Sequence, residues 1–226
     1  MTSAWWRSSV GKKAVMGATG LVLVGFILMH LLGNMLIFLG PDALNGYAEK
    51  LRHLGAMIWV VRGSLLAITV VHVRMAITLT RENRAARPVP YAVTKPIDTT
   101  LAARTMMLSG LFLLAYLVYH LLHFTFGVTQ PAIAHLEDPF GRHDVYRMVV
   151  LGFQDPRVVL LYVAAMGLLC MHLSHGIASM FQSVGLNDER TLPALQKLGR
   201  LLAMAIFIGY VSIPLSIALG LVGGAR

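Results

Sequence analysis

RTMMLSGLFLLAYLVYHLLHFTFG, residues 104–127, is the stretch whose reading decides the fold. After Arg104 it contains no Asp, Glu, Lys or Arg. A hydrocarbon layer about 30 Å thick is crossed by about 20 apolar residues wound as a helix. This run is long enough, yet it carries two histidines, His120 and His123. Four further segments share its character, at about 14–39, 57–80, 157–181 and 199–222. Between them lie polar or Pro- and Gly-rich breaks: GPDALNGYAEKLRH, RENRAARPVPYAVTKPIDTT, QPAIAHLEDPFGRHDVYRMVVLGFQDP and GLNDERTLPALQK. The expectation is an all-α integral membrane protein, a single membrane domain over 1–226 with five transmembrane helices in one bundle.

The whole composition agrees. The chain is 57% hydrophobic and only 13% charged, about half the charge of a soluble domain. Mean hydropathy is +0.70. The net charge of +9 does not point to nucleic acid, because no basic stripe with interleaved aromatics exists. The one cysteine, Cys170, permits no internal disulfide, and no Cys-x-x-Cys-His attaches a haem covalently. The N-terminal MTSAWWRSSVGKK reads as a retained cytoplasmic tail, with Trp5 and Trp6 near the interface.

Positive charge orients the bundle. With the N-terminus inside, the inner side holds Arg7, Lys12, Lys13, Arg81, Arg84, Arg87, Lys95, Arg104, Arg190, Lys197 and Arg200. The outer side holds Lys50, Arg52, Arg62, Arg142, Arg147, Arg157 and Arg226, and its long loop is balanced by Glu137, Asp138, Asp144 and Asp155. The expected arrangement is N-terminus cytoplasmic and C-terminus outside.

Four of the five spans carry histidine: His30, His72, His120 with His123, and His172 with His175. An ionisable residue inside a span is a functional hypothesis by default. From the helical rise, His30 lies roughly 5 Å and His120 roughly 7 Å outward of their span midpoints, and His72 roughly 6 Å and His172 roughly 5 Å inward. Two layers result, each supplied by two helices. Facing imidazoles in a helical bundle are how bis-histidine haem b is held. Gly17, Gly20, Gly25 and Gly110 permit close approach of a flat macrocycle or of a neighbouring helix. A zinc or di-iron site on the His-x-x-His pairs is the alternative, but the spans supply almost no carboxylates. A proton-relaying transporter would need broken helices and paired acids, which are missing.

These residues carry a resemblance. HLLGN at 30–34, His72, residues 104–127, HDVYRMVVLGFQDP from His143 and MHLSHGIASMFQSVGL from Met171 together resemble the five-helix, di-haem cytochrome b anchor of succinate dehydrogenases and fumarate reductases. The resemblance covers nearly the whole chain. It implies axial haem-iron ligands at His30, His72, His120 and His172, with His30 and His120 on the outer haem and His72 and His172 on the inner one. It implies two non-covalent haem b groups and a quinone, menaquinone in anchors of this kind. It further implies a flavoprotein subunit that oxidises succinate and an iron–sulfur subunit, both on the cytoplasmic face of a bacterial membrane. The direction of the reaction is left open between succinate oxidation and fumarate reduction. The haem b subunit of another respiratory dehydrogenase is a further alternative, against which the HDVYRMVVLGF loop argues. Some fumarate reductases of the family have a glutamate two residues before the fourth-span ligand; here Cys170 stands there, so that proton route is expected to be absent.

Secondary candidates follow. Arg74, two residues beyond His72, is the first choice for a propionate partner, followed by Arg104, Lys95 and Arg62. Snorkelling to lipid headgroups is the plainer role for each. His123 and His175 lie nearer the surfaces than the ligands and are candidates for propionate, water or quinone. His53, His135 and His143 read as ordinary solvated loop residues.

Overall fold

A computed structural model describes residues 8–86, 101–183, 185 and 188–223. Trp5, Trp6, Arg7, Arg87, Lys95 and Arg226 lie outside them. The described residues form helices α1 (Ser9–Met35), α2 (Pro41–Arg52), α3 (Ala56–Ala85), α4 (Leu101–His120), α5 (Val145–Gly152), α6 (Pro156–Ser183) and α7 (Thr191–Ala218), with no strand among them. Five helical segments, Ser9–Leu39, Ala56–Ala85, Leu101–Thr125, Pro156–Ser183 and Thr191–Ala218, are long and apolar enough to cross a membrane. The chain is built as a multi-pass membrane protein.

Local chemistry sets the ends. The Ser8 hydroxyl accepts from the Gly11 amide at 3.0 Å and starts α1. A 3-10 turn, Leu36–Leu39, closes it, and Gly40 turns the chain at φ 98° ahead of Pro41. Asp144 caps α5 by accepting from Arg147 N at 3.0 Å. Asp155 accepts from the Arg157 amide at 2.9 Å at the head of α6. The fifth span differs most from expectation. It begins at Thr191, not 199, because Pro193 sits in the first turn, where an amide has no helical acceptor to lose. It ends at Ala218, with Gly220 at φ 71° just beyond.

The membrane-length helices do not pack evenly. α7 lies along α6, α1 touches α3, α6 and α7, and α4 packs on α6 but only sparingly on α3. So α1 and α4 face each other across one diagonal of a four-helix arrangement, and α3 and α6 across the other. Close contact is made by small residues. Ala203 is fully buried against the Val24, Leu173 and Ile177 cluster. A Cβ at Gly199 would sit 3.3 Å from the Ser174 carbonyl oxygen. Across the seam, Tyr210 donates to the Ile27 carbonyl at 2.8 Å.

The segments expected to be mere breaks after the first and third spans contain α2 and α5. These two short helices pack together over one end of the bundle, above a cluster of Ile37, Leu44, Val150, Phe153, Tyr162 and Ile213. Asn45, only 1% exposed, joins them. It donates to Asp138 at 3.3 Å and Asp144 at 3.0 Å, and its oxygen accepts from the Tyr146 amide at 2.9 Å. Arg142 bridges Asp138 and Asp42, both at 2.7 Å. His143, expected to be solvated, is partly buried in this loop, where its backbone pairs antiparallel with that of Glu137. At the opposite end, Lys12 pairs with Glu82.

Asn45→Ala orphans a buried amide at Tyr146, at about 1–3 kcal/mol. A lower midpoint of thermal unfolding in detergent is the expected result, with exchange rising first in residues 136–152. Acid acts on the same cap. Burial alone raises the Asp138 pKa, but the Arg142 guanidinium, the Arg142 and Phe140 amides and Asn45 outweigh it and hold the carboxyl below its usual range. A depressed folded pKa adds stability above the ordinary carboxylate pKa of about 3.9 and loses it as pH falls through the folded value. Protection of residues 136–152 should therefore hold at neutral pH and fail below about pH 4. Arg142→Met should weaken that dependence.

Candidate functional site

The four central histidines occupy the two diagonals. His30 of α1 and His120 of α4 approach with ring centroids 5.9 Å apart and planes at 84°. His30 stacks on Phe26 at 5.4 Å and lies 6.3 Å from Tyr210. On the other diagonal, His72 of α3 lies against Gly20 of α1 and His172 of α6 against Gly110 of α4. The two pairs sit at different levels, the first nearer the end covered by α2 and α5.

Each histidine of the second pair, His72 and His172, is held by a hydroxyl. Thr19 Oγ1 lies 3.1 Å from His72 Nδ1, and Ser109 Oγ lies 3.2 Å from His172 Nδ1. Both hydroxyl protons are already committed to helix carbonyls: Thr19 donates to Val15 at 2.9 Å or Met16 at 3.0 Å, and Ser109 to Met106 at 3.1 Å. The hydroxyl oxygens therefore accept, and the histidines donate from Nδ1. A neutral imidazole with its proton on Nδ1 keeps its lone pair on Nε2. That is the state in which imidazole binds a metal, with the outer nitrogen fixed by a hydrogen bond.

The glycines beside these hydroxyls face the same rings. A Cβ at Gly20 would come within 3.4 Å of His72 Cε1, and one at Gly110 within 3.5 Å of His172 Cε1. Gly17 instead packs on the α6 backbone near Met180, and Gly25 meets nothing within 4 Å. Thus α1 and α4 carry one layout twice. Thr19–Gly20 stands before His30 as Ser109–Gly110 stands before His120, at identical spacing. Sequence reasoning placed His120 ten residues after Gly110 but missed the hydroxyls and the matching layout of the first span. The shared hydroxyl–Gly–x9–His spacing was the available signal.

At the other pair, His120 Nδ1 lies 3.2 Å from Tyr162 OH, and His123 Nδ1 lies 2.9 Å from the same oxygen. His123 Nε2 meets Gln130 Oε1 at 3.1 Å. Both histidines reach one tyrosine because α4 widens into a π turn over Leu121–Thr125, closed by Phe126 N donating to the Leu121 carbonyl at 2.8 Å. His123 is 2% exposed and has protein partners on both nitrogens.

The secondary candidates are placed apart from this. Arg74 is exposed on α3. Arg104 is exposed, and Arg62 lies 5.0 Å over the Trp59 ring in an exposed cation–π contact. His175, one turn after His172, has Nε2 2.9 Å from Ser179 Oγ on its own helix. His53 and His135 are exposed, as expected of loop residues. Among the described residues, no three His, Cys, Asp or Glu side chains cluster as a metal site of their own. Comparison with known proteins returns no match, whether to a family model, a curated protein or a solved structure.

Proposed function

We propose that this chain is the di-haem cytochrome b anchor of a succinate:quinone oxidoreductase, passing electrons from an iron–sulfur partner to a quinone. The observation that carries the reading is the pair of histidine diagonals. Two imidazoles sharing one metal, with metal–nitrogen bonds of about 2 Å each, have centroids about 6 Å apart. The His30–His120 separation of 5.9 Å suits that span. For the second pair, the support is chemical: His72 and His172 each have a hydroxyl acceptor on Nδ1, which leaves Nε2 for iron.

In this reading His30 and His120 hold one haem b, and His72 and His172 the other. Each haem, when bound, supplies a one-electron acceptor and donor. The chain's own part is to hold four imidazoles neutral, oriented and away from bulk water, at two levels of one bundle. Gly20 and Gly110 leave room for the Cε1 edges of His72 and His172 against α1 and α4. The inside excess of Lys and Arg in the sequence puts the α2–α5 cap outside and the Lys12–Glu82 end at the cytoplasm of a bacterium, where the flavoprotein and iron–sulfur subunits dock. The His72–His172 pair is then nearer to them. Menaquinone is the proposed acceptor.

A redox-titrated optical spectrum of the full chain, with haem quantified, tests the assignment. Two low-spin b haems per chain are expected, and a haem-free protein would sink the reading. His72→Ala or His172→Ala should each remove one haem and leave the other, whereas His175→Ala should keep both. Gly110→Leu, which drives a side chain at His172, should empty the same site as His172→Ala. Loss of the His30–His120 haem instead would contradict the pairing.

A further inference from the structure

Beyond the hydroxyls at His72 and His172, a line of hydrogen bonds runs from Gln130 through His123 and Tyr162 to His120. Its hydrogen bonds have one consistent direction. Gln130 Oε1 has no proton, so at 3.1 Å it accepts from His123 Nε2–H. With its proton there, neutral His123 has a lone pair on Nδ1. Tyr162 has a single hydroxyl proton, and the shorter of its two contacts, 2.9 Å, runs to that lone pair. The Tyr162 oxygen is left as an acceptor, 3.2 Å from His120 Nδ1. His120 therefore donates from Nδ1 and keeps Nε2 unprotonated.

The surroundings fix these groups. Tyr162 is 6% exposed, with Phe153 and Tyr116 edge-on at 4.9 Å and 5.2 Å. Phe124 stacks on His123 at 3.9 Å. A Cβ at Gly152 would stand 2.9 Å from Phe124 Cε1 and 3.3 Å from His123 Nε2, so the close approach of α5 needs glycine there.

We infer that Tyr162 is a positioning residue for the His120 ligand, its proton committed to His123 by Gln130 so that its oxygen accepts from His120. This rests on the haem reading above. The π turn makes His123 a second support for the tyrosine and takes it out of contention as ligand or propionate partner. A hydrogen bond accepted from a ligand's outer nitrogen raises that ligand's basicity and favours ferric over ferrous iron. The line thus acts on one haem alone, the one held by His30 and His120. At the other pair, His72 and His172 meet the hydroxyls of Thr19 and Ser109 instead, with no tyrosine in the equivalent place.

The test compares midpoint potentials and low-spin electron paramagnetic resonance signals of both haems in the purified full chain. Tyr162→Phe removes the acceptor and keeps the ring. The expected result is two haems, with the potential of the His30–His120 haem raised by about a tenfold change in ferric preference, about 59 mV for one electron, and the other unmoved. Gln130→Leu should shift the same haem in the same direction by less. Gln130→Glu, which restores an acceptor for His123 Nε2–H, should return it. Should Tyr162→Phe fail to retain that haem, the Gln130 pair still decides. Unchanged potentials and signals in Gln130→Leu and in a fully loaded Tyr162→Phe would overturn the inference while leaving the haem reading intact, as would a shift confined to the other haem. A wild-type protein with no haem would overturn the functional reading itself.

Discussion

An imidazole inside a hydrocarbon layer cannot turn to water, so each of its nitrogens is answered from within the bundle or by a bound group. Much of this structure is arranged around that requirement. The helices approach where glycine and alanine let them, and the hydroxyls of Thr19, Ser109 and Tyr162 meet histidine Nδ1 atoms. A serine or threonine in a helix normally returns its proton to a carbonyl one turn back. Here that habit has a use, because it turns the hydroxyl into a pure acceptor and sets the tautomer of the histidine facing it.

The capped end follows the same rule outside the membrane-length helices. Two short helices bring Asp138, Asp144 and Asp42 close together, and three like charges would repel. Asn45 and Arg142 supply the donors that make the group cohesive. The apolar undersides of α2 and α5 rest on the ends of the long helices. Anything held between His30 and His120 is thereby separated from the loop side by packed side chains.

The spans were legible in the sequence because hydrocarbon thickness imposes a length and a composition that residues 104–127 satisfy directly. The pairing of His30 with His120 was legible from depth, because helical rise converts residue number into height. Less was legible where neither rule acts. α5 is a short amphipathic helix in a loop, and its VYRMVVLG sequence resembles ordinary loop filler until Asp144 is seen to cap it. The helix of the fifth span starts earlier than its apolar run because TLPALQKL is polar enough to resemble a connector, although Pro193 is harmless in a first turn. The Tyr162 contacts depend on a π turn, and no periodicity of 3.6 anticipates one. The one face that His-x-x-His suggests for the third span is kept, since both rings reach Tyr162, but the shared partner was not legible.

The doubled layout of α1 and α4 has a mechanical side. Each of these helices carries a hydroxyl for one histidine level and a histidine of the other level, eleven residues on and about 16 Å higher along the axis. A helix is stiff over that distance. A slide of α1 along its axis moves Thr19 against His72 and His30 against His120 in a single stroke, and α4 does the same for Ser109 and His120. The two levels are therefore geared together. Individual side chains can adjust one level alone, but any strain that displaces a whole helix, from bilayer thickness or from a protein docked at either end, registers at both.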